Sequence, residues 1–223
     1  MKMTLNLPSA RTLRRTAWAS TLLAASLPAF GASFSNLGSI SIPDVSPASP
    51  YPSHITVSGL GTSLSSITVT LDNYSHSFSI DIAIVLQNPT GANVMLMGRV
   101  GAYDSSPVTL TFDDTAGSSL QTGNAFVTGS YLPTDETGGQ FLFSDGGSHA
   151  EPTSWTTSLA TFSGSNPNGV WKLFVEDFLG GDSGSIAGGW SVNISTVPEP
   201  STYAAIAASM LIGMALIHRR KSV

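Results

Sequence analysis

The chain has 223 residues, room for one domain of ordinary size plus processing segments. Seven of its nine basic residues lie near the two ends (Lys2, Arg11, Arg14, Arg15 and Arg219, Arg220, Lys221), so the stretch between them sets only Arg99 and Lys172 against all 14 acidic residues, a net charge of −12. Such a body repels phosphate backbones, which excludes nucleic acid as a partner, and the absence of cysteine excludes both a disulfide framework and a thiolate metal site.

Residues 1–31 read as a signal peptide. Basic residues at 2, 11, 14 and 15 precede an apolar run from Ala17 to Leu27, and the small residues Ala29 and Gly31 follow at the spacing of a cleavage site. Residues 32–53 are rich in Ser, Pro and Gly and have no periodicity. They are expected to form a flexible, exposed leader that pairs at most as an edge strand.

From residue 54 the pattern changes. Runs rich in β-branched residues at 54–58, 66–72, 80–86, 93–97 and 108–112, and again at 170–175 and 189–194, alternate with turn signals. Most of them alternate apolar and polar side chains, as a sheet with one covered face requires. Pro89-Thr-Gly91 supplies a fixed φ and then a residue free to adopt positive φ, which reverses the chain between two strands. No stretch between 33 and 196 has helical periodicity. Residues 54–196 are therefore predicted to be an all-β, antiparallel sandwich, with long loops over 117–154.

The C-terminal segment, 197–223, has three parts: Val197, Pro198, Glu199, Pro200 and Ser201; an almost wholly apolar run over 203–217; and a basic tail over 218–223 containing Arg219, Arg220 and Lys221. As a helix, 15 residues cover about 23 Å, short of the roughly 30 Å hydrocarbon core. Tyr203 at one edge and snorkelling arginines at the other offset part of that shortfall. The basic cluster stays cytoplasmic and the domain lies outside. This ordered triple, Pro198-Glu199-Pro200, short apolar helix and basic cluster, closely resembles the PEP-CTERM sorting signal. The resemblance implies an exosortase as the processing partner, cleavage near the tripeptide, a transient single-pass stay in the inner membrane of a Gram-negative cell, and delivery to the cell surface or an extracellular polysaccharide matrix.

The body resembles the P domain (P/Homo B domain) of subtilisin-like proprotein convertases over roughly residues 54–196. The resemblance is carried first by residues 66–71, His76, 81–86, Pro89-Thr-Gly91 and 94–96. It continues in Phe162-Ser-Gly164, Asn168-Gly-Val-Trp171, Leu173, Val175, Asp177, Gly181-Asp-Ser-Gly184 and 190–192. It implies a jelly-roll sandwich without catalytic residues of its own.

One constellation resembles chymotrypsin-type proteolysis: His54, Asp81 and Ser183 stand in that order, with Ser183 inside Gly-Asp-Ser-Gly. His54 lacks the expected neighbours, and Gly181 to Gly184 reads equally as a turn between two late strands, so no catalytic residue is assigned. A structural Ca2+ is a second candidate, held by Asp81, Asp177 and Asp182, because hard cations take clustered carboxylate oxygens. Asp113 and Asp114 form another acidic pair, whose alternative reading is a turn in which Asp bonds its own backbone. His76 and His149 read as hydrogen-bonded loop histidines. Trp171 and Trp190 flank strands and are expected in the core, whereas Trp155, in the variable stretch, is the candidate exposed ring for ligand binding. The sequence thus leaves three functions open for a non-enzymatic exported domain: a structural or adhesive envelope protein, a lectin-like carbohydrate-binding module of the matrix, and a protease-associated accessory domain.

Overall fold

The computed structural model describes residues 31–197, apart from 103, 140, 145 and 148, together with residues 208–212. The signal segment, the tripeptide at 198–200, the basic tail and most of the apolar run lie outside the described residues. Among the described residues no helix is long and apolar enough to cross a membrane.

Among the described residues eleven strands are formed: β1 Gly31–Asn36, β2 Ile40–Ile42, β3 Ser53–Val57, β4 Leu64–His76, β5 Ile82–Gln87, β6 Asn93–Gly98, β7 Asp104–Phe112, β8 Gly129–Tyr131, β9 Thr134–Asp135, β10 Gly169–Asp177 and β11 Gly184–Thr196. They make two sheets. One has the order β1-β11-β4-β7-β8 with β2 also on β11, and the other has the order β3-β10-β5-β6-β9. The all-β class and the two-sheet architecture agree with the sequence expectation. Two short pairings, β6 with β9 and β7 with β8, are parallel rather than antiparallel. The long connection after β7 permits this, since a chain returning through many residues can re-enter a sheet in either sense while a tight hairpin cannot.

Residues 32–53 are part of the sandwich, not a flexible leader. β1 pairs with β11 from Gly31↔Ser195 to Asn36↔Trp190 as an edge strand. Ile40 and Ile42 on β2 are fully buried. The periodicity is hidden because β1 carries a single large apolar residue, Phe34, and β2 is only three residues long.

The main core lies between the sheets. Ile67, Val69 and Leu71 of β4 with Trp190, Val192 and Ile194 of β11 face Ile82, Ile84 and Leu86 of β5 with Trp171, Leu173 and Val175 of β10. The outer face of the second sheet is also covered: Ala83, Val85, Met95 and Phe174 form a smaller cluster beneath Phe141 and Phe143 of the long loop. This explains why β5 reads as an unbroken apolar run, since a strand buried on both faces loses its alternation.

Two irregularities set up the site described below. In β4 the inward residues step by two from Ile67 to Leu71 and then by three to Tyr74, with a register shift between Leu71 and Tyr74 and a positive φ of 52° at Asn73. This β-bulge turns both Tyr74 and His76 into the interior. In β11, Gly184 lies opposite His76, and a side chain there would run into the backbone of Ser75 and the imidazole of His76. Only glycine lets the two strands close over the buried histidine.

Candidate functional site

The most unusual chemistry is at the end of the sandwich where β4 and β10 finish and β5 and β11 begin. His76 and Asp177 face each other there with no exposed side-chain surface, Nε2 to Oδ2 at 3.2 Å. The Nδ1 atom of His76 accepts a hydrogen bond from the Phe78 N–H at 3.2 Å, so the ring proton belongs on Nε2 and points toward the carboxylate. The approach is close but not aligned as a hydrogen bond. His76 Nε2, Asp177 Oδ2 and Asp81 Oδ1 are buried without hydrogen-bond partners among the described residues.

Backbone hydrogen bonds fix this arrangement. Asp177 Oδ1 accepts from Leu179 N–H at 3.1 Å, and Asp81 O accepts from Phe178 N–H at 3.0 Å. Asp44 Oδ1 accepts from Gly181 N–H at 2.9 Å, which ties the loop before β3 to the turn before β11. Ser77 and Ser183 exchange two bonds across that turn: Ser77 N–H to Ser183 O, and Ser183 N–H to Ser77 Oγ. Tyr74 closes the floor, its hydroxyl donating to Ser79 Oγ at 3.0 Å.

The electrostatics follow from burial. Desolvation pushes the Asp177 carboxyl up to about 6, with Asp44 and Asp182 adding to the rise and the Leu179 N–H opposing it. Asp81 is raised for the same first reason, then by Asp177 and Asp182, against the pull of His76 and Arg99. Burial lowers His76, opposed by the surrounding carboxylates. It raises the Tyr74 phenol well beyond its ordinary range. Burial thus moves the carboxylates and the imidazole toward their neutral forms.

The three carboxylates expected to hold Ca2+ do reach one end of the fold and act on one another. The donor set nevertheless does not fit a cation as it stands: among the described residues no group of three Asp, Glu or His side chains is placed to hold a metal ion. Burial raises both Asp81 and Asp177 above the usual carboxylate range. The protease-like set is not assembled either. His54, on β3, lies opposite Lys172, five residues along β10 from Asp177 and so about 16 Å away, while Asp81 adjoins Asp177 and Ser183 lies in the exposed turn. The histidine beside Asp81 is His76, a partnership the sequence order did not suggest; the three-residue step from Leu71 to Tyr74 was its available signal.

The remaining candidates fall into structural roles. Trp171 and Trp190 are core residues, as expected. Trp155 is not a free platform: its Nε1 donates to Asp135 Oδ2 at 2.8 Å and its ring meets Phe143 edge-on. The satellite core under the long loop takes up the aromatic surface that the variable sequence appeared to leave exposed. Asp113 Oδ1 accepts from both Thr115 N–H and Thr115 Oγ1, the self-bonded turn anticipated for it. Asp114 reaches across to accept from Ser158 Oγ, Leu159 N–H and Ala160 N–H, and so caps the short 3-10 turn Leu159–Phe162. Asp113, Asp114, Thr115, Leu159 and Ala160 line a cleft of about 330 Å³ with Ser65, Ile67, Thr68 and Ser163. Asp114→Ala should lower the urea midpoint with a loss of about 1 kcal/mol, the ordinary worth of a helix cap. An unchanged midpoint would remove the capping role.

No family model matches the chain, and no curated protein matches it. Two solved structures show weak likeness. The serine protease of Aeromonas sobria in complex with its chaperone ORF2 is 16% identical, with 78% of this chain and 27% of that chain covered and a TM-score of 0.39. The A. sobria serine protease alone is 16% identical over 77% of this chain and 27% of that chain, with a TM-score of 0.35. The chain thus spans about a quarter of the length of the proteins it matches, and at these TM-scores the likeness carries no argument about fold or function.

Proposed function

We propose that this chain is an exported, non-catalytic β-sandwich of the P-domain type, delivered through a PEP-CTERM tail and displayed at the cell surface or in the surrounding matrix. The observation that carries the reading is where the sandwich ends: β11 closes at Thr196, immediately before Val197 of the proposed sorting motif. The sheet thus gives way directly to the C-terminal address segment. The dispersal of His54, Asp81 and Ser183 supports a binding or structural role over hydrolysis, and the partial cover of Trp155 favours the structural role over sugar stacking.

The sorting reading is checked by expressing the full chain with and without an exosortase and following it through fractionation. With the enzyme, a product shortened by about 2 to 3 kDa should leave the membrane fraction, because the 197–223 segment has 27 residues. Glu199→Ala together with Pro200→Ala should hold the chain at full length in the membrane. Equal release of the wild type and this variant would sink the proposed signal.

A further inference from the structure

We propose that the outer face of the first sheet is an adhesive surface for a neutral, extended polysaccharide, held by ranks of hydroxyl groups. This deepens the reading of a structural envelope protein by naming the surface and the chemistry of what it grips.

Strand register sets the ranks. Ser35, Ser191, Thr70, Thr111 and Ser130 stand opposite one another across β1, β11, β4, β7 and β8. Neighbouring strands lie about 4.8 Å apart, so this rank runs roughly 19 Å across the sheet. The rank beside it, Ser33, Asn193 and Thr68, repeats the chemistry two residues along each strand. These positions alternate with Val69, Leu71, Leu110, Phe112, Val192 and Ile194 of the core, so their side chains point away from it. All eight are half-buried or exposed. The outer face of the second sheet differs, since it lies beneath Phe141 and Phe143.

The chemistry of the ranks selects the partner. Thr70 and Thr111 share a hydrogen bond at 3.1 Å between their hydroxyls. A hydroxyl has one donor and two acceptor positions, so even this pair keeps capacity for further bonds. None of the eight residues is charged, whereas a surface made only for solubility is roughly a quarter to a third Lys, Arg, Glu and Asp. The aspartates that border the ranks are already engaged: Asp72 accepts from Thr109 Oγ1 at 2.8 Å, and Asp113 from Thr115 N–H at 2.8 Å. The two basic residues of the body lie elsewhere, Lys172 on β10 and Arg99 after β6. An anionic polymer would therefore meet no cation here and a body of net charge −12. A protein partner would find no aromatic, Met or Arg anchor in the ranks for the core of an interface. A neutral polysaccharide suits both conditions. Its hydroxyls donate and accept as Ser, Thr and Asn do, and an extended chain can follow one rank across all five strands.

The test mixes the full-length protein, in a detergent without a sugar headgroup, with amorphous cellulose and measures the fraction that sediments. Wild type should sediment, and Thr70→Val with Thr111→Val should weaken retention on the order of tenfold, the effect of losing one or two hydrogen bonds. Valine keeps the β-branched shape, so the sheet persists, which matching thermal melts would verify. Ser191→Glu, which sets a carboxylate inside the rank, should weaken retention as much. Thr56→Val, exposed on β3 of the second sheet, should leave it unchanged. Equal retention of wild type and both rank variants would overturn the proposal, as would no retention of wild type or stronger retention on alginate. A wild-type dimer that the rank variants dissociate would assign the face to a second copy of the chain and overturn it as well. Each of these failures leaves the sorting reading intact, because exosortase release is measured separately.

Discussion

Trp190→Ala should cost about 3 to 5 kcal/mol of unfolding free energy, the range for deleting a buried aromatic ring. The ring belongs to β11 in the first sheet and is 1% exposed. Its Nε1 donates to Ser53 Oγ at 2.9 Å, and Ser53 begins β3 in the second sheet. The indole therefore fills the space between the sheets and also bonds them together. Ser53 Oγ additionally accepts from Asn36 Nδ2 at 3.3 Å, so the edge strand β1 is drawn into the same contact. Truncation removes packing and leaves the buried Ser53 hydroxyl short of a donor. Trp190→Phe separates the two effects: it keeps most of the packing and loses the bond, at a cost of about 1 to 2 kcal/mol. For a domain of this size each kcal/mol moves the Tm by about 2 to 4 °C. Thermal unfolding followed by far-UV circular dichroism should rank wild type, Trp190→Phe and Trp190→Ala in that order. Equal melting of the two variants would mean that the hydrogen bond, not the ring volume, dominates.

The main-core strands were legible because burial on one face writes itself into alternation. Residues 66–72 and 189–194 show it, and they fall within β4 and β11. What escaped notice was shaped by tertiary context. β1 and β2 carry too few apolar residues to stand out, and they exist because β11 offers them a pairing edge. Trp155 lies in a loop whose sequence has no period, yet Phe143 and Asp135 take up its ring and its N–H. The acidic end was half legible. Asp81, Asp177 and Asp182 could be grouped from their places at strand ends, but charge alone suggests a cation. The bulge after Leu71 brings His76 inward to face Asp177, and among the described residues no three such side chains are placed to hold a metal ion. A bulge is a one-residue change in spacing, and in a single sequence it resembles an ordinary break between strands.

His76→Gln should destabilise the domain by about 1 to 3 kcal/mol near pH 7.5, the cost of leaving a buried group that wants a partner without one, and much of that loss should disappear by pH 5. The sign follows from linkage. Asp177, at about 6 in the folded protein, lies above its unfolded value, and Asp81 is raised in the same sense. Their contribution is complete below the unfolded carboxylate range, near 4, and is lost as pH rises through about 6. His76 is held below its usual value, so its contribution is present above about 6.5 and is lost as pH falls. In the wild type these slopes oppose each other between about pH 4 and 7, and the stability profile is correspondingly flat. Removing the imidazole leaves the carboxylates alone, still facing Asp44, Asp182, Arg99 and the Tyr74 hydroxyl, so the variant should gain stability steadily on acidification from pH 7.5 to 5. Asp177→Asn should do the reverse, because it deletes the main carboxylate slope and exposes that of His76. Urea unfolding of the three proteins at pH 5, 6, 7 and 7.5 reads this directly. Parallel profiles for wild type and His76→Gln would show that the buried histidine is a packing residue and that the Asp177 proton is held by burial alone.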